Sequence, residues 1–168
     1  MDISNQLKYK LSAAVLGCLA LGLNCASAAA ATATNTFQVT ATVQATCLVS
    51  ATAMAFGTYT GVAATGTSSV TVTCTNTTPY NVGFSAGSGT GATVTTRAMT
   101  GPAGAQLGYS LFSDSARSVN WGQTVGTDTV PGTGNGAAQV TSVYGSVAAG
   151  QYVAPGSYSD TITATVTY

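Results

Sequence analysis

The feature that most constrains this chain is a strict two-residue alternation at its C-terminal end. From Thr161 onward every odd position is threonine, and the even positions are Ile162, Ala164, Val166 and Tyr168. Successive side chains of a β-strand point to opposite faces, so the pattern predicts a strand with one apolar and one hydroxylated face. Because the last residue is a large aromatic on the apolar face, we expect the strand to run to the end of the chain.

The N-terminal residues predict export. Two lysines precede an uncharged apolar stretch, Leu11–Leu23, and Ala26-Ser27-Ala28 supplies a small-residue cleavage pattern. This is the layout of a secretory signal peptide, residues 1–28, whose apolar stretch is too short to span a bilayer. We expect cleavage after Ala28, to within about two or three residues. Lipid attachment at Cys18 or Cys25 is the alternative.

Charge and composition exclude several classes of function. Removing 28 of the 168 residues leaves 140, which is enough for one domain. These 140 residues contain no His, Glu or Lys. Their ionisable side chains, which sum to a net charge of −1, are Arg97, Arg117, Asp114, Asp128 and Asp160. So few charges predict no nucleic-acid partner and no membrane-surface helix. The three aspartates show no spacing typical of acid–base catalysis or Ca²⁺ binding, so we expect no enzyme, no metal and no cofactor.

Two cysteines remain after the signal peptide, Cys47 and Cys74. In an oxidising compartment a single pair of this kind favours a disulfide. Half of a metal site is the alternative, but the chain has no histidine to complete it.

The rest of the mature region has the composition of an all-β protein. Threonine, valine, alanine and tyrosine alternate between glycine-rich turns, and no apolar stripe of helical period is present. Besides the terminal segment, strands are predicted at Thr36–Ala45, Cys47–Ser50, Ser68–Cys74, Pro79–Phe84, Ala92–Met99, Gln106–Ser113 and Ala138–Val147. Gly126–Gly136 is predicted as a long turn. Short strands at this spacing indicate a β-sandwich.

Exposed aromatic rings could make the domain a secreted sugar-binding module. Trp121, between Asn120 and Gly122, is the best candidate for such a platform. The competing interpretation, which we favour, is that Trp121 packs inside the sandwich, because aromatic rings contribute so much core area.

Several short motifs, each weak alone, follow one another along the mature region in a specific order. They are Cys47, Phe56-Gly57-Thr58-Tyr59, Val70-x-Val72-x-Cys74, Pro79-Tyr80-x-Val82, Leu107-x-Tyr109-x-Leu111, Trp121-Gly122, Tyr144-Gly145 and Pro155-Gly156-x-Tyr158-x-Asp160-x-Ile162. Together they resemble the spore coat protein U domain, a family that includes the pilin subunits of archaic chaperone–usher pili.

The resemblance implies an incomplete immunoglobulin-like β-sandwich that lacks its final strand. In that family a periplasmic chaperone lends a strand to the open groove, and the N-terminal extension of the next subunit replaces it at the outer-membrane usher. Residues 29–46 would then be the donor-strand extension and residues 47–168 the incomplete domain. The donor side chains would be Phe37, Val39, Ala41 and Val43. The groove edge that binds the chaperone would carry Ile162, Ala164, Val166 and Tyr168.

The residues themselves fit that arrangement. Thr36–Ala45 alternates strictly and has no hairpin partner nearby, although it could also be the first strand of the sandwich itself. Ala41 is small for a donor position. The terminal strand would leave an open edge, which another chain must cover.

We therefore expect a structural pilin subunit of a surface fibre, polymerised by donor-strand exchange and supporting adhesion and biofilm formation. Its expected partners are a chaperone, an usher, other copies of itself and sibling pilins, and its route leads through the periplasm to the cell surface. Single-domain length favours a shaft subunit over a two-domain tip adhesin. A spore or cell-surface coat protein of the same fold is the alternative.

Overall fold

The computed structural model describes residues 29–168, so the predicted signal peptide lies outside the described residues. Residues 29–41 belong to one unit, and Thr42–Tyr168 form a second, which contains every strand. Within residues 29–168 the only helix is a single 3-10 turn, Pro102–Gly104. Nothing in that range is helical over a length that could cross a membrane. The all-β prediction is confirmed.

Eight strands form two sheets. They are β1 (Cys47–Ala51), β2 (Ala64–Cys74), β3 (Pro79–Phe84), β4 (Arg97–Thr100), β5 (Gln106–Phe112), β6 (Val130–Thr133), β7 (Gln139–Val147) and β8 (Ala164–Thr167). The larger sheet has the order β1-β2-β7-β5-β4 and the smaller one β6-β3-β8, with antiparallel pairing throughout. In the smaller sheet β8 therefore has one strand neighbour, β3.

The core lies between the two sheets and is supplied by alternate residues of the longer strands. In β5, for example, Leu107, Tyr109 and Leu111 are buried, as their period-two spacing predicts. The buried core consists of Val70, Val72, Cys74, Tyr80, Val82, Phe84, Leu107, Tyr109, Leu111, Trp121, Val143 and Val147. This is the packing of a β-sandwich.

Trp121 belongs to this core. Its side chain is fully buried, its ring centroid lies 4.7 Å from that of Phe84, and its indole N–H donates to the carbonyl of Val82 at 2.8 Å. The core interpretation of Trp121 is confirmed, and the sugar-platform alternative is wrong, because a buried ring has no face left for a ligand.

A buried charged side chain, that of Arg97, stabilises the part of the core around Trp121. Arg97 at the start of β4 is 1% exposed, and its guanidinium donates to four backbone carbonyls at 2.6–3.1 Å. Those carbonyls belong to Ser85, Val94, Phe84 and Trp121. Burial lowers the pKa of Arg97, although nearby Tyr109 and two aspartates oppose the shift. The hydrogen bonds stabilise the buried cation and connect β4 to the end of β3.

The strand predicted at Thr36–Ala45 is absent. Residues 29–46 contain no strand, and all of their side chains are exposed. An alternating sequence becomes a strand only when a neighbour satisfies its backbone groups, and residues 36–45 make no backbone–backbone hydrogen bond within the described chain. The alternative that this segment is the sandwich's own first strand is therefore wrong; β1 begins at Cys47.

Two other predictions needed correction. The strand predicted over Ala92–Met99 is reduced to β4, because the Thr93 hydroxyl accepts the backbone N–H of Thr96 and turns the chain. The predicted turn Gly126–Gly136 contains β6. Its Pro131 and Gly132 disfavour a strand, but β6 is a short edge strand, where proline is tolerated. Gly132 also lets the ring of Tyr80 pack directly on the backbone.

Candidate functional site: a groove beside the last strand

The last strand leaves one side of the smaller sheet open. Within the described chain β8 pairs with β3 through Ala164↔Phe84 and Val166↔Val82 and has no strand on its other side. β1 of the larger sheet lies beside β8 without being hydrogen-bonded to it. The sandwich is therefore open along this line.

A cavity of about 400 Å³ opens there, and we call it the first compartment. One wall is formed by residues 51–54 and Phe56, and the other by residues 158–160, Ile162 and Ala164. Its floor is made of core side chains, namely Phe84, Tyr109, Leu111 and Val143. The opening therefore reaches down to the hydrophobic core.

A second compartment of about 870 Å³ adjoins the first. It lies between residues 54–61 and residues 151–158, with Met99 and Leu107 also lining it. Four side chains line both compartments, so the two form one continuous depression, which we call the groove.

The backbone along the groove is largely unpaired. Residues 53–60 and residues 151–158 make no backbone–backbone hydrogen bond to any residue of the described chain. Pairing resumes just beyond them, where Thr52 N–H donates to Ser69 O and Ser159 exchanges two bonds with Thr100. Unpaired N–H and C=O groups on an apolar surface are what an added strand would satisfy.

The predicted groove-edge residues divide into two groups. Ile162 and Ala164 line the first compartment and are half-buried. Val166 is also half-buried and packs against the core, but it does not line either compartment. Tyr168 is 59% exposed. The strand predicted from Thr161 to the last residue is shorter in the structure, because β8 begins at Ala164 and ends at Thr167.

The predicted donor residues are accessible. Phe37, Val39 and Val43 are 87%, 81% and 84% exposed, and Ala41 is also exposed. Large apolar side chains are rarely left this open over several consecutive positions of a face, so the segment is suited to contact another surface.

The predicted disulfide is confirmed. Cys47 in β1 and Cys74 in β2 are directly opposed in the sheet register and joined by a bond of 1.99 Å. The bond joins the first strand of the domain to β2, shortly after the predicted donor residues. Among the described residues no cluster of three or more potential metal ligands occurs.

One polar group inside the groove was not predicted from the sequence, which placed Asp160 among the ionisable side chains without a role in the groove. Its carboxylate accepts the hydroxyl of Tyr109 at 2.7 Å and the N–H and hydroxyl of Ser88, each at 2.7 Å. Burial opposes ionisation, but the hydrogen bonds from Ser88, Tyr109 and Thr161 outweigh it and lower the pKa of Asp160. Burial, together with the bond to Asp160, raises the pKa of Tyr109.

The residues of the opposite wall were also missed. Met54 and Phe56 lie over two facing glycines, Gly66 of β2 and Gly145 of β7. A Cβ on Gly145 would lie 2.8 Å from Cζ of Phe56 and would collide with Sδ of Met54. The signal in the sequence is weak, because the glycines are far apart along the chain and only the register brings them together.

The fold and the groove define a class of protein: an all-β sandwich whose last strand has an open edge over the core. The model of the Spore Coat Protein U domain matches residues 33–165, and the chain belongs to this family. Protein U of Myxococcus xanthus is 39% identical over 87 residues, which are 51% of this chain. The chain matches about half of that protein's length, 48%.

The fold is also similar to a solved structure. A chain in the crystal structure of the CsuC–CsuE chaperone–tip adhesion subunit pre-assembly complex, from archaic chaperone–usher Csu pili of Acinetobacter baumannii, superimposes with a TM-score of 0.57. The match covers 76% of this chain and 41% of that chain at 23% identity. At this identity the likeness establishes the shared fold.

Proposed function

We propose that the protein is a structural subunit of a chaperone–usher surface fibre and polymerises by donor-strand exchange. The observation that carries this proposal is the groove: an apolar depression open to the core, bordered by unpaired backbone, in a chain that also exposes an alternating apolar segment. We call residues 36–45 the donor segment.

The donor segment of one copy has the chemistry to fill the groove of another. Ten extended residues span about 33 Å, and alternate side chains point the same way, so one face can enter the groove while the other meets solvent. Burying each of Phe37, Val39 and Val43 would contribute roughly 1.5–3 kcal/mol. Each backbone hydrogen bond to residues 53–60 or to β8 would add about 0.5–1.5 kcal/mol.

Before assembly, the same groove would bind a strand lent by a periplasmic chaperone, and transfer to the next donor segment would occur at an outer-membrane usher. The crystal structure of the CsuC–CsuE pre-assembly complex, which contains this fold, supports a chaperone partner. The fibre would be exposed at the cell surface and would support adhesion and biofilm formation. The groove edge that binds chaperone or donor would comprise Ile162 and Ala164, with Val166 and Tyr168 following along β8.

A structural rather than catalytic role suits the three aspartates. Asp114 accepts the N–H groups of Ser118 and Val119, and Asp128 accepts the N–H of Thr124. Asp160 accepts hydrogen bonds from Tyr109 and Ser88. Each carboxylate stabilises a loop or turn, which is a sufficient reason for its presence.

The proposal is tested by deleting residues 29–45 from the gene in its native host. The wild-type protein is expected to run as a ladder of oligomers on unheated SDS gels, because each subunit is completed by its neighbour. The deletion variant is expected to give only the monomer, held by its chaperone. A ladder from the deletion variant would refute the assignment of the donor.

A matched experiment in vitro uses a synthetic peptide of residues 36–45. Added to the deletion variant, it should raise the melting temperature, because a ligand that binds only the folded state stabilises it. A peptide with Val39 and Val43 replaced by Asp is the control and should have no effect.

A coat protein of a spore or cell surface is the second candidate, favoured by the family to which the chain belongs. Such a protein could use the same fold without an usher. Loss of surface fibres on deletion of a neighbouring usher gene would support the pilin; unchanged surface display would support the coat protein.

A further inference from the structure

The two compartments of the groove meet at the four side chains that line both of them. They are Met54, Phe56, Met99 and Tyr158, and we call this set the waist. A strand that occupies the whole groove must pass the waist to reach from one compartment into the other.

The waist cannot easily widen on the side of Met54 and Phe56. Both side chains already lie on Gly66 and Gly145, where the sheet has no Cβ atoms to move away. The Phe56 ring also packs against Tyr109, with a centroid distance of 5.9 Å. Closely packed interiors yield little to an extra methylene, so this wall is fixed.

The opposite side is held as well. Tyr158 lies against Gly101, where a Cβ would be 2.6 Å from its Cδ1 atom, and its hydroxyl donates to the carbonyl of Ala154 at 2.6 Å. One edge of the ring therefore packs against the backbone at Gly101 while the hydroxyl is hydrogen-bonded, and the two contacts together favour a single orientation.

The donor segment has two small residues on its inward face, Ala41 and Ala45, and the first of them lies at its centre. Its inward positions are Phe37, Val39, Ala41, Val43 and Ala45, so Ala41 is the central one. Neighbouring positions on the same face are about 6.6–6.8 Å apart, which would place the larger side chains on either side of Ala41 within the two compartments.

We propose that Ala41 sets the register of assembly by passing the waist of the next copy, between Met54 and Phe56 on one side and Tyr158 on the other. This inference deepens the proposed function and rests on it. A one-step slip of two residues would bring Val39 or Val43 to the waist, where the additional methyl groups collide with fixed side chains. Ala41 thus acts as a specificity-determining residue for a second copy of this chain.

A disulfide trap reads the register directly in the full-length protein expressed in its host. A41C/M54C should give oligomers that survive boiling in SDS and disappear on reduction. The matched controls V39C/M54C and V43C/M54C should give far less of this ladder. A ladder that is strongest in either control, or absent from A41C/M54C while wild-type assembly is intact, would overturn the proposal.

A second test avoids introduced cysteines. A41L should reduce the unheated SDS ladder by roughly tenfold or more, because overpacking a fixed site costs on the order of 1–3 kcal/mol. M54A should restore assembly of A41L, while V140L, which adds bulk at an exposed position of β7 outside the groove and the donor segment, should assemble normally. Unchanged assembly of A41L would refute the proposed register but not donor-strand exchange itself. Donor-strand exchange is tested separately by the deletion of residues 29–45.

Discussion

The hydroxyl of Tyr109 donates a 2.7 Å hydrogen bond to the carboxylate of Asp160, which connects the buried face of β5 to the residues that lead into β8. The second oxygen of the same carboxylate accepts two bonds from Ser88. Both Tyr109 and Asp160 line the first compartment. The pair therefore stabilises one wall of the groove as well as the domain.

Asp160 should make the domain sensitive to acid. The pKa of Asp160 is lowered in the folded state, so the stability that its ionised carboxylate contributes is fully present above the unfolded-state pKa of about 3.9. That stability is lost as the pH falls through the lower folded-state pKa. In D160N the asparagine cannot accept all of these bonds, and we expect a loss of about 1–3 kcal/mol at neutral pH. Urea unfolding of wild type and D160N between pH 2 and 7 measures both effects.

Y109F is the matched variant for this pair. It removes one hydrogen bond and leaves the bonds from Ser88 in place, so its stability should lie between those of wild type and D160N at neutral pH. A D160N protein as stable as wild type at pH 7 would show that the carboxylate is not needed.

The Cys47–Cys74 disulfide should contribute substantially to stability. It closes a loop with a sequence separation of 27 residues, for which the chain-entropy model gives about 3–4 kcal/mol. We expect the C47A/C74A variant to unfold at a correspondingly lower urea concentration. Wild type treated with reductant is the control and should fall to a similar midpoint; equal midpoints for oxidised and reduced wild type would contradict the prediction.

Gly145 should not tolerate a side chain. A methyl group there would displace Met54 and Phe56 from the sheet, at a cost of about 1–3 kcal/mol for overpacking. Thermal unfolding of G145A should show this loss, and adding M54A should recover part of it. S142A, on the exposed face of the same strand, should change the stability by less than about 0.5 kcal/mol.

Arg97 should be among the most sensitive positions of the domain. In R97M four carbonyls lose their donor, and two of them, those of Phe84 and Trp121, are buried. Each buried unsatisfied group costs about 1–3 kcal/mol, so we expect severe destabilisation or loss of folded protein. R117M is the control, because Arg117 is only half-buried and donates to two carbonyls. Soluble periplasmic yield, followed by urea unfolding, compares the two.

The sequence predicted a strand wherever the alternation of apolar residues within that segment alone identifies its buried face. The alternations in β2, β5 and β7 identify buried faces without reference to any partner. β5 and β7 lie within one residue of their predicted bounds, whereas β2 begins at Ala64, four residues before its predicted start. β6 could not be found this way, since Pro131 and Gly132 are turn residues and become a strand only through pairing with β3.

The groove was predictable only in part. Ile162 and Ala164 were found because they continue an apolar face, and that face does line the first compartment. Met54 and Phe56 lie in a segment without regular structure, and their positions depend on Gly66 and Gly145 meeting across two strands. Arg97 was counted only among the ionisable side chains, and its burial was not predicted, because the four carbonyls that bind it come from separate loops and strands.

The edge strand β6 has a consequence for how a polymer of this protein could grow. Within the described residues the smaller sheet has two edge strands, β8 and β6, and β6 includes Pro131, which has no N–H to donate to an added strand. In a fibre built as proposed above, each copy would accept a neighbour at β8 and not at β6. Growth would then be linear and unbranched, with a single direction from one end of the fibre to the other.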